Sequence, residues 1–281
     1  MKKATLLLLL AAFFISCKKN KQTSPSTPET AKILSSITGY LPIYNDPGIV
    51  KSTLTLKYNG NNIVQFALPN YPLAGNIILA YQGNNCTKIS FYDSTNSSLI
   101  GYHDITYNSN DEVASIKTYG YFDKYINSLD NTQSFDFYYS NSILSKIVWK
   151  SPAVSDTIYY KIQRDAANDI TQLHQYVIDT IQSSNDDTTS IYSYTYNTTI
   201  NKQNFFPIIW LVEGSLKMNH AKYIDITTAM PYLNRHQMVI DSFTSNSEII
   251  YQYMNDNNGN IVARMESEIF HLNDSTFYSY K

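Results

Sequence analysis

Along most of this chain one pattern keeps returning, and it leaves few folds open. An alternating apolar–polar run ends near a tyrosine, a short polar turn follows, and a second alternating run leads back. Residues 53–58, the turn Asn59-Gly60-Asn61 and residues 63–68 make one such unit. Residues 77–81, the turn Gln82-Gly83-Asn84-Asn85 and residues 86–92 make the next. Residues 101–107, the turn Asn108-Ser109-Asn110-Asp111 and residues 113–119 follow. Later come 134–139 with 143–149, 157–163 with 170–178, 248–253 with 261–270, and a closing run at 275–280. Alternation with period two puts successive side chains on opposite faces of a strand. Asn, Gly, Asp and Ser supply the positive φ that tight hairpin turns demand. Strands joined this closely in sequence pair with their neighbours. The expectation is an all-β antiparallel meander of a dozen or more strands. So many twisted strands curl or close, as a coiled sheet or an open or closed barrel.

Tyrosine usage fits that reading. The chain has 25 tyrosines, and tyrosine suits a strand with one packed and one wet face. In Ile191-Tyr192-Ser193-Tyr194-Thr195-Tyr196 the tyrosines share a face. One region departs from the pattern. Residues 204–234 open with a dense apolar stretch, Phe205 to Val212, closed by Gly214. It reads as a short helix near 205–213, with Pro207 in its first turn and Gly214 as its stop, acting as a plug over the sheet.

The first 32 residues belong to a different regime. Lys2 and Lys3 precede an apolar run of about a dozen residues. Spanning a bilayer as a helix takes about 20. With the small residue Ser16 before Cys17, this order describes a cleaved export signal over 1–16. Ser16-Cys17 resembles a bacterial lipobox. The resemblance implies cleavage before Cys17 and acylation of the new N-terminus, which would anchor the protein to a lipid bilayer. Lys18 directly after that cysteine resembles sorting to the outer membrane. Residues 17–32 read as the lipidated cysteine and a flexible tether, with no large apolar side chain to bury. Residues 33–281 read as a single β domain.

Charge and cysteine narrow the function. Residues 1–32 hold six of the 21 Lys+Arg and one of the 23 Asp+Glu, so residues 33–281 carry 15 basic against 22 acidic side chains. A domain of that balance has no general attraction for phosphate backbones, which disfavours nucleic-acid partners. With Cys17 acylated, Cys86 is the one remaining thiol. It can form neither an intramolecular disulfide nor a Cys-rich zinc site, and reads as a small core residue.

The lipobox, the tether, the Tyr-ended hairpins, the apolar break after Asn204 and the closing unit (Tyr251-Gln252-Tyr253 to Gly259-Asn260-Ile261-Val262) together resemble one group. It is the Bacteroidota lipoprotein family of unknown function with a porin-like fold. The resemblance implies an envelope location and assigns no catalytic residues. The hairpins are also similar to YD-type repeats, with Tyr-Asn or Tyr-Gln in place of most Tyr-Asp pairs. An outward apolar band on strands of about ten residues is the mark of a membrane-spanning barrel. Ser52-Thr53-Leu54-Thr55-Leu56-Lys57 does not supply one.

No nucleophile elbow, His-Glu-x-x-His or complete phosphate loop occurs, so neither catalytic residues nor a cofactor are expected. The five histidines (His103, His174, His220, His236, His271) are not spaced for a metal. Asp256-Asn257-Asn258-Gly259-Asn260 reads as a hairpin turn rather than a calcium loop, which would need a bidentate glutamate. Arg264, Glu266 and Glu268 share a strand face and read as a solvated charge ladder. Trp149, Trp210 and the ladder Tyr192, Tyr194 and Tyr196 are candidate binding residues, because sugar rings stack on exposed aromatic faces. The leading expectation is a lipid-anchored, non-catalytic binding or assembly module of the cell envelope, with a glycan, peptide or envelope protein as partner. An envelope or polysaccharide hydrolase and a purely structural β spacer are the alternatives.

Overall fold

The computed structural model describes residues 33–42, 49–69, 75–95, 98–120, 131–152, 157–178, 188–200, 206–217, 226–233, 236–243, 247–258, 260–268 and 271–280. The chain divides into a leading unit, Met1–Ile33, and a second unit, Leu34–Lys281. Cys17 and the tether fall outside the described residues. The second unit is a closed barrel of sixteen antiparallel strands. They are β1 (Leu34–Pro42), β2 (Ile49–Asn59), β3 (Asn62–Ala67), β4 (Asn76–Gln82), β5 (Asn85–Tyr92), β6 (Leu99–Tyr107), β7 (Val113–Tyr119) and β8 (Asn131–Ser140). They continue as β9 (Ile143–Lys150), β10 (Thr157–Arg164), β11 (Ile170–Ile178), β12 (Thr188–Ile200), β13 (His236–Phe243), β14 (Ser247–Asn255), β15 (Ile261–Glu268) and β16 (His271–Tyr280). Each strand pairs with the next, and β1 closes the ring on β16 with Ile37 opposite Tyr278. Closure removes the exposed edges that an open meander of this length would offer to other chains.

Turns from even to odd strands are short, with the exception of the long β12–β13 connection. Gly60 and Gly83 take φ of +61° and +63°, and Asn141 and Ser142 take +52° and +59° in the equivalent turn. The longer turns after β6, β10 and β14 share one design. The carboxyl or amide oxygen of Asn108, Asp165 or Asp256 accepts the backbone N–H groups two and four residues on, at 2.9–3.1 Å. This is side-chain mimicry of a backbone turn. It fixes 256–260 as a hairpin, with the Asp256 carboxylate consumed by the turn itself.

The tyrosine that ends each unit has a specific task. The hydroxyl of Tyr58 donates to the Leu34 carbonyl at 2.6 Å, Tyr81 to Ile63 at 2.7 Å, Tyr107 to Cys86 at 3.0 Å and Tyr139 to Val113 at 3.0 Å. Tyr196 donates to Ile170 at 2.5 Å and Tyr280 to Ile261 at 3.0 Å. Every one runs from the end of an even strand to the start of the odd strand before it. In the fifth hairpin Arg164 takes the tyrosine's place, with Nη2 donating to the Leu144 carbonyl at 3.2 Å. In the seventh, Gln237 Nε2 reaches Asn255 Oδ1 at 3.0 Å. The eight hairpins are thus stapled around the tight-turn rim. Burial raises the Tyr58 and Tyr139 hydroxyls to about 12 and drives Tyr81 and Tyr107 up as well, so all stay protonated donors. Tyr81→Phe keeps the ring and deletes one staple. It should cost about 1 kcal/mol in urea unfolding, and a neutral result would show that the hydroxyl is ornamental.

Inward positions are mostly apolar and outward ones mostly polar, with Ile78, Ile250, Met254 and Phe277 exposed and His103, Gln133 and Arg264 buried as exceptions. Along β2, Ser52, Leu54 and Leu56 are buried, whereas Lys51, Thr53, Thr55 and Lys57 are exposed. A transmembrane barrel has the inverse polarity. No helix among the described residues is long and apolar enough to cross a membrane.

One connection does not stay outside. After β12 the chain forms α1 (Ile208–Lys217), a 3₁₀ turn (Ile226–Ala229) and α2 (Met230–Leu233) before β13. Pro207 accepts the Leu211 N–H at 2.9 Å, as a residue at the helix entrance does. Gly214 lies inside α1, which runs on to Lys217, so the expected stop at that glycine is incorrect. Packing overrides its weak helix propensity. Ile209, Trp210, Leu211, Val212, Ser215 and Leu216 are all buried, and a helix buried on every side belongs inside a core. Its neighbours lie on distant strands of the ring. Trp210 meets Phe135 of β8, Ser215 meets His103 of β6, and Tyr232 meets Arg264 of β15. The insertion therefore fills the lumen, where wall and helix side chains form one apolar cluster. It is the core of the barrel rather than a cover over a sheet.

Candidate binding surface

The five aromatic residues expected to offer a platform all turn inward. Trp210 is 1% exposed, stacked on Phe206 at 5.6 Å and meeting Phe135 in a T-shaped contact at 5.6 Å. Tyr194 is buried in the same cluster, and Trp149, Tyr192 and Tyr196 pack against it. The Trp149 indole donates to Gln133 Oε1 at 3.1 Å and the Tyr192 hydroxyl to Gln175 Oε1 at 3.0 Å. In this structure these residues are lumen packing, because the face that the tyrosines share is the inner one. Arg264 also points inward. It is 4% exposed, and its Nη1 donates to the Tyr232 hydroxyl at 3.0 Å. A solvated ladder starting at Arg264 is thereby corrected; the side chains of Glu266 and Glu268 lie outside the described residues.

Two interior groups have chemical interest and no access. Cys86 is buried, its thiol pushed up to about 12 by burial and its Sγ set against the Lys88 carbonyl, so it is an inert core residue. His103 is 1% exposed. Its Nδ1 hydrogen-bonds with Thr118 Oγ1 at 3.0 Å and its Nε2 with Ser215 Oγ at 2.8 Å, while the ring meets the edge of Phe91. Desolvation draws its pKa down to about 3, so it is neutral. A serine and a histidine in contact suggest a nucleophile pair, yet substrate cannot reach them. Their work is to tie α1 to β6 and β7. Among the described residues no group of three or more His, Cys, Asp or Glu could hold a metal.

Among the described residues, lysine and tyrosine side chains gather on the outer wall from β5 to β11. Outward residues align in rows across the strands. Asp136, Val148, Tyr159 and Tyr176 form one row; Tyr138, Lys146, Lys161 and His174 form the next. Tyr159 and Tyr176 stack at 4.8 Å with rings 4° from parallel, and the Lys161 ammonium stands 4.5 Å from the Tyr176 ring centre. The Lys146 ammonium stands 4.4 Å from the ring of Tyr138, which is 44% exposed. A similar group sits further round, where Tyr102 and Tyr119 stack at 4.6 Å under Lys88. Lys88 pairs with Asp104 at 3.5 Å and Lys150 with Asp136 at 3.1 Å, exposed pairs worth at most about 1 kcal/mol.

Between these rows the wall is hollowed. A groove of about 360 Å³ is lined by Lys146, Val148, Thr157, Tyr159, Lys161 and Ile178. Its volume lies in the range of about 300–1,000 Å³ typical of small-ligand sites. The groove is apolar along Val148, Tyr159 and Ile178 and cationic at one end. Sequence reasoning missed it because Tyr159 and Tyr160 are adjacent, and only the pairing register tells which of two adjacent tyrosines faces out.

No family model matches the chain, and no curated protein matches it. Solved structures do. A porin-like protein from Bacteroides uniformis superposes with a TM-score of 0.51 at 15% identity, covering 92% of this chain and 99% of that one. A porin-like protein from Bacteroides vulgatus gives 0.46 at 10% identity, over 88% and 98%. A DUF3836 family protein from the same species gives 0.22 at 13% identity, over 37% and 96%. At these identities the first of them supports the barrel architecture and nothing finer.

Proposed function

We propose that this chain is a lipid-anchored envelope protein whose sealed barrel acts as a non-catalytic binding or assembly module, held to a bilayer, in our reading that of the outer membrane, through acylated Cys17. One observation carries the reading: the lumen is packed with apolar side chains and the 208–217 helix. Among the described residues the interior is occupied by this packing, which leaves the outer wall as the accessible surface for recognition. Among the described residues that wall carries many polar side chains and only scattered exposed apolar ones, which suits a body standing beside a membrane rather than in it. The expected anchor is sufficient alone, since two or more acyl chains hold a protein stably to a bilayer.

Cys17→Ala should move the protein from the membrane fraction to the soluble periplasmic extract, still folded, while the parent protein yields an acylated N-terminal peptide by mass spectrometry. The parent protein added to planar bilayers should open no conductance. Retention of the unacylated variant in membranes, or discrete channel openings, would overturn the proposal.

A further inference from the structure

The geometry points to the outer groove of β9–β11 as a subsite for a sugar ring bearing an anionic group, with Lys146 and Lys161 as its anion contacts. This rests on the reading of the outer wall as a recognition surface and gives that surface a ligand class. Three features select the ligand. First, no carboxylate lines the groove among the described residues. Lys150 is satisfied by Asp136 and Lys88 by Asp104, whereas Lys146 and Lys161 contact only tyrosine rings among the described residues. Second, those ring contacts hold each ammonium against an aromatic face. Two charges are thereby positioned in advance, which lowers the ordering cost of binding. Third, the exposed Ile178, backed by the largely buried Val148 and Tyr159, makes an apolar wall suited to the C–H face of a pyranose, with the Thr157 hydroxyl beside it and the exposed Tyr138 ring next to Lys146.

Other anionic surfaces fit less well. The β domain carries 15 basic against 22 acidic side chains. A nucleic acid or an anionic bilayer, reading the whole face, meets net repulsion and the interspersed Asp104 and Asp136. A single ring with one carboxylate or sulfate meets only the local pair.

The test is calorimetric titration of the purified full-length protein with a galacturonate tetramer, a sulfated galactose tetramer and the neutral galactose tetramer. Lys146→Gln/Lys161→Gln and Lys146→Arg/Lys161→Arg serve as paired variants. We expect an acidic oligomer to bind at least about tenfold tighter than the neutral one, with weakening as salt rises. The glutamine pair should lose about tenfold or more and the arginine pair should retain binding. The ranking of uronate against sulfate then identifies the anionic group. Equal binding of the neutral oligomer, unchanged affinity in the glutamine pair, or no binding of either acidic oligomer would overturn the inference. Membrane release of Cys17→Ala and the absence of conductance bear on the proposed function alone, so the two can fail separately.

Discussion

Trp210→Ala is expected to lower the unfolding free energy by about 3–5 kcal/mol, the range for removing a large buried aromatic. The residue sits at the contact between the lumen helix and the wall. It touches Phe206 on its own segment and Phe135 on β8, and Phe206 in turn meets Phe137 at 5.8 Å. Alanine would leave a void that neighbouring strands, locked in a closed ring, cannot collapse to fill. The measurement is urea unfolding followed by tryptophan-independent circular dichroism, with Trp210→Phe as the milder companion. A loss below about 1 kcal/mol would mean that the helix is a loose plug and that the wall holds itself together.

Acid should weaken the barrel through His103. Above pH 6.5 the imidazole is neutral in both folded and unfolded chains and contributes no pH dependence. Below that, the unfolded chain takes up a proton that the folded protein, with a pKa of about 3, refuses. Stability therefore falls by about 1.4 kcal/mol for each pH unit below 6.5, reaching about 3 kcal/mol by pH 4 and levelling off near pH 3. The cause is burial: the imidazolium would have to form between Thr118, Ser215 and Phe91 with no water. His103→Gln keeps a polar group against both hydroxyls and removes the proton. It should flatten the slope of the urea midpoint between pH 6.5 and 4 relative to the parent protein. Identical slopes would show that carboxylates alone govern acid unfolding.

How far the sequence could be read depended on whether a residue's role is local. The hairpin units are local. Alternation, a tyrosine and an Asn/Gly/Asp turn specify each strand pair without reference to the rest of the chain. Strands such as β5, β6, β7 and β11 accordingly lie where the pattern places them. The unit's tyrosine was visible as a recurrent position, but its bond was not, because the accepting carbonyl lies 18–26 residues earlier, across the hairpin. The apolar break after Asn204 was also visible. Its place in the lumen was not, since a dense apolar run fits a helix on a sheet as well as one inside a barrel. Gly214 misled for the same reason: burial of its neighbours holds the helix through a residue that would end it in water.

The candidate site shows the sharper limit. Composition marked tyrosine and tryptophan as the residues able to meet a ligand, and the strand pattern placed Tyr192, Tyr194 and Tyr196 on one face. Which face looks outward is a property of the closed ring. Closure put those three, with Trp149 and Trp210, against the core, and left Tyr138, Tyr159 and Tyr176 with Lys146 and Lys161 on the wall. The order of residues along the chain was enough to dictate strands, turns and an expected lipid anchor, because each depends on a few neighbours and their backbone preferences. Inside and outside, and with them the wall surface available for recognition, were decided when β1 met β16 and the insertion entered the lumen. Burial follows from where the whole chain closes, and no short stretch contains that information.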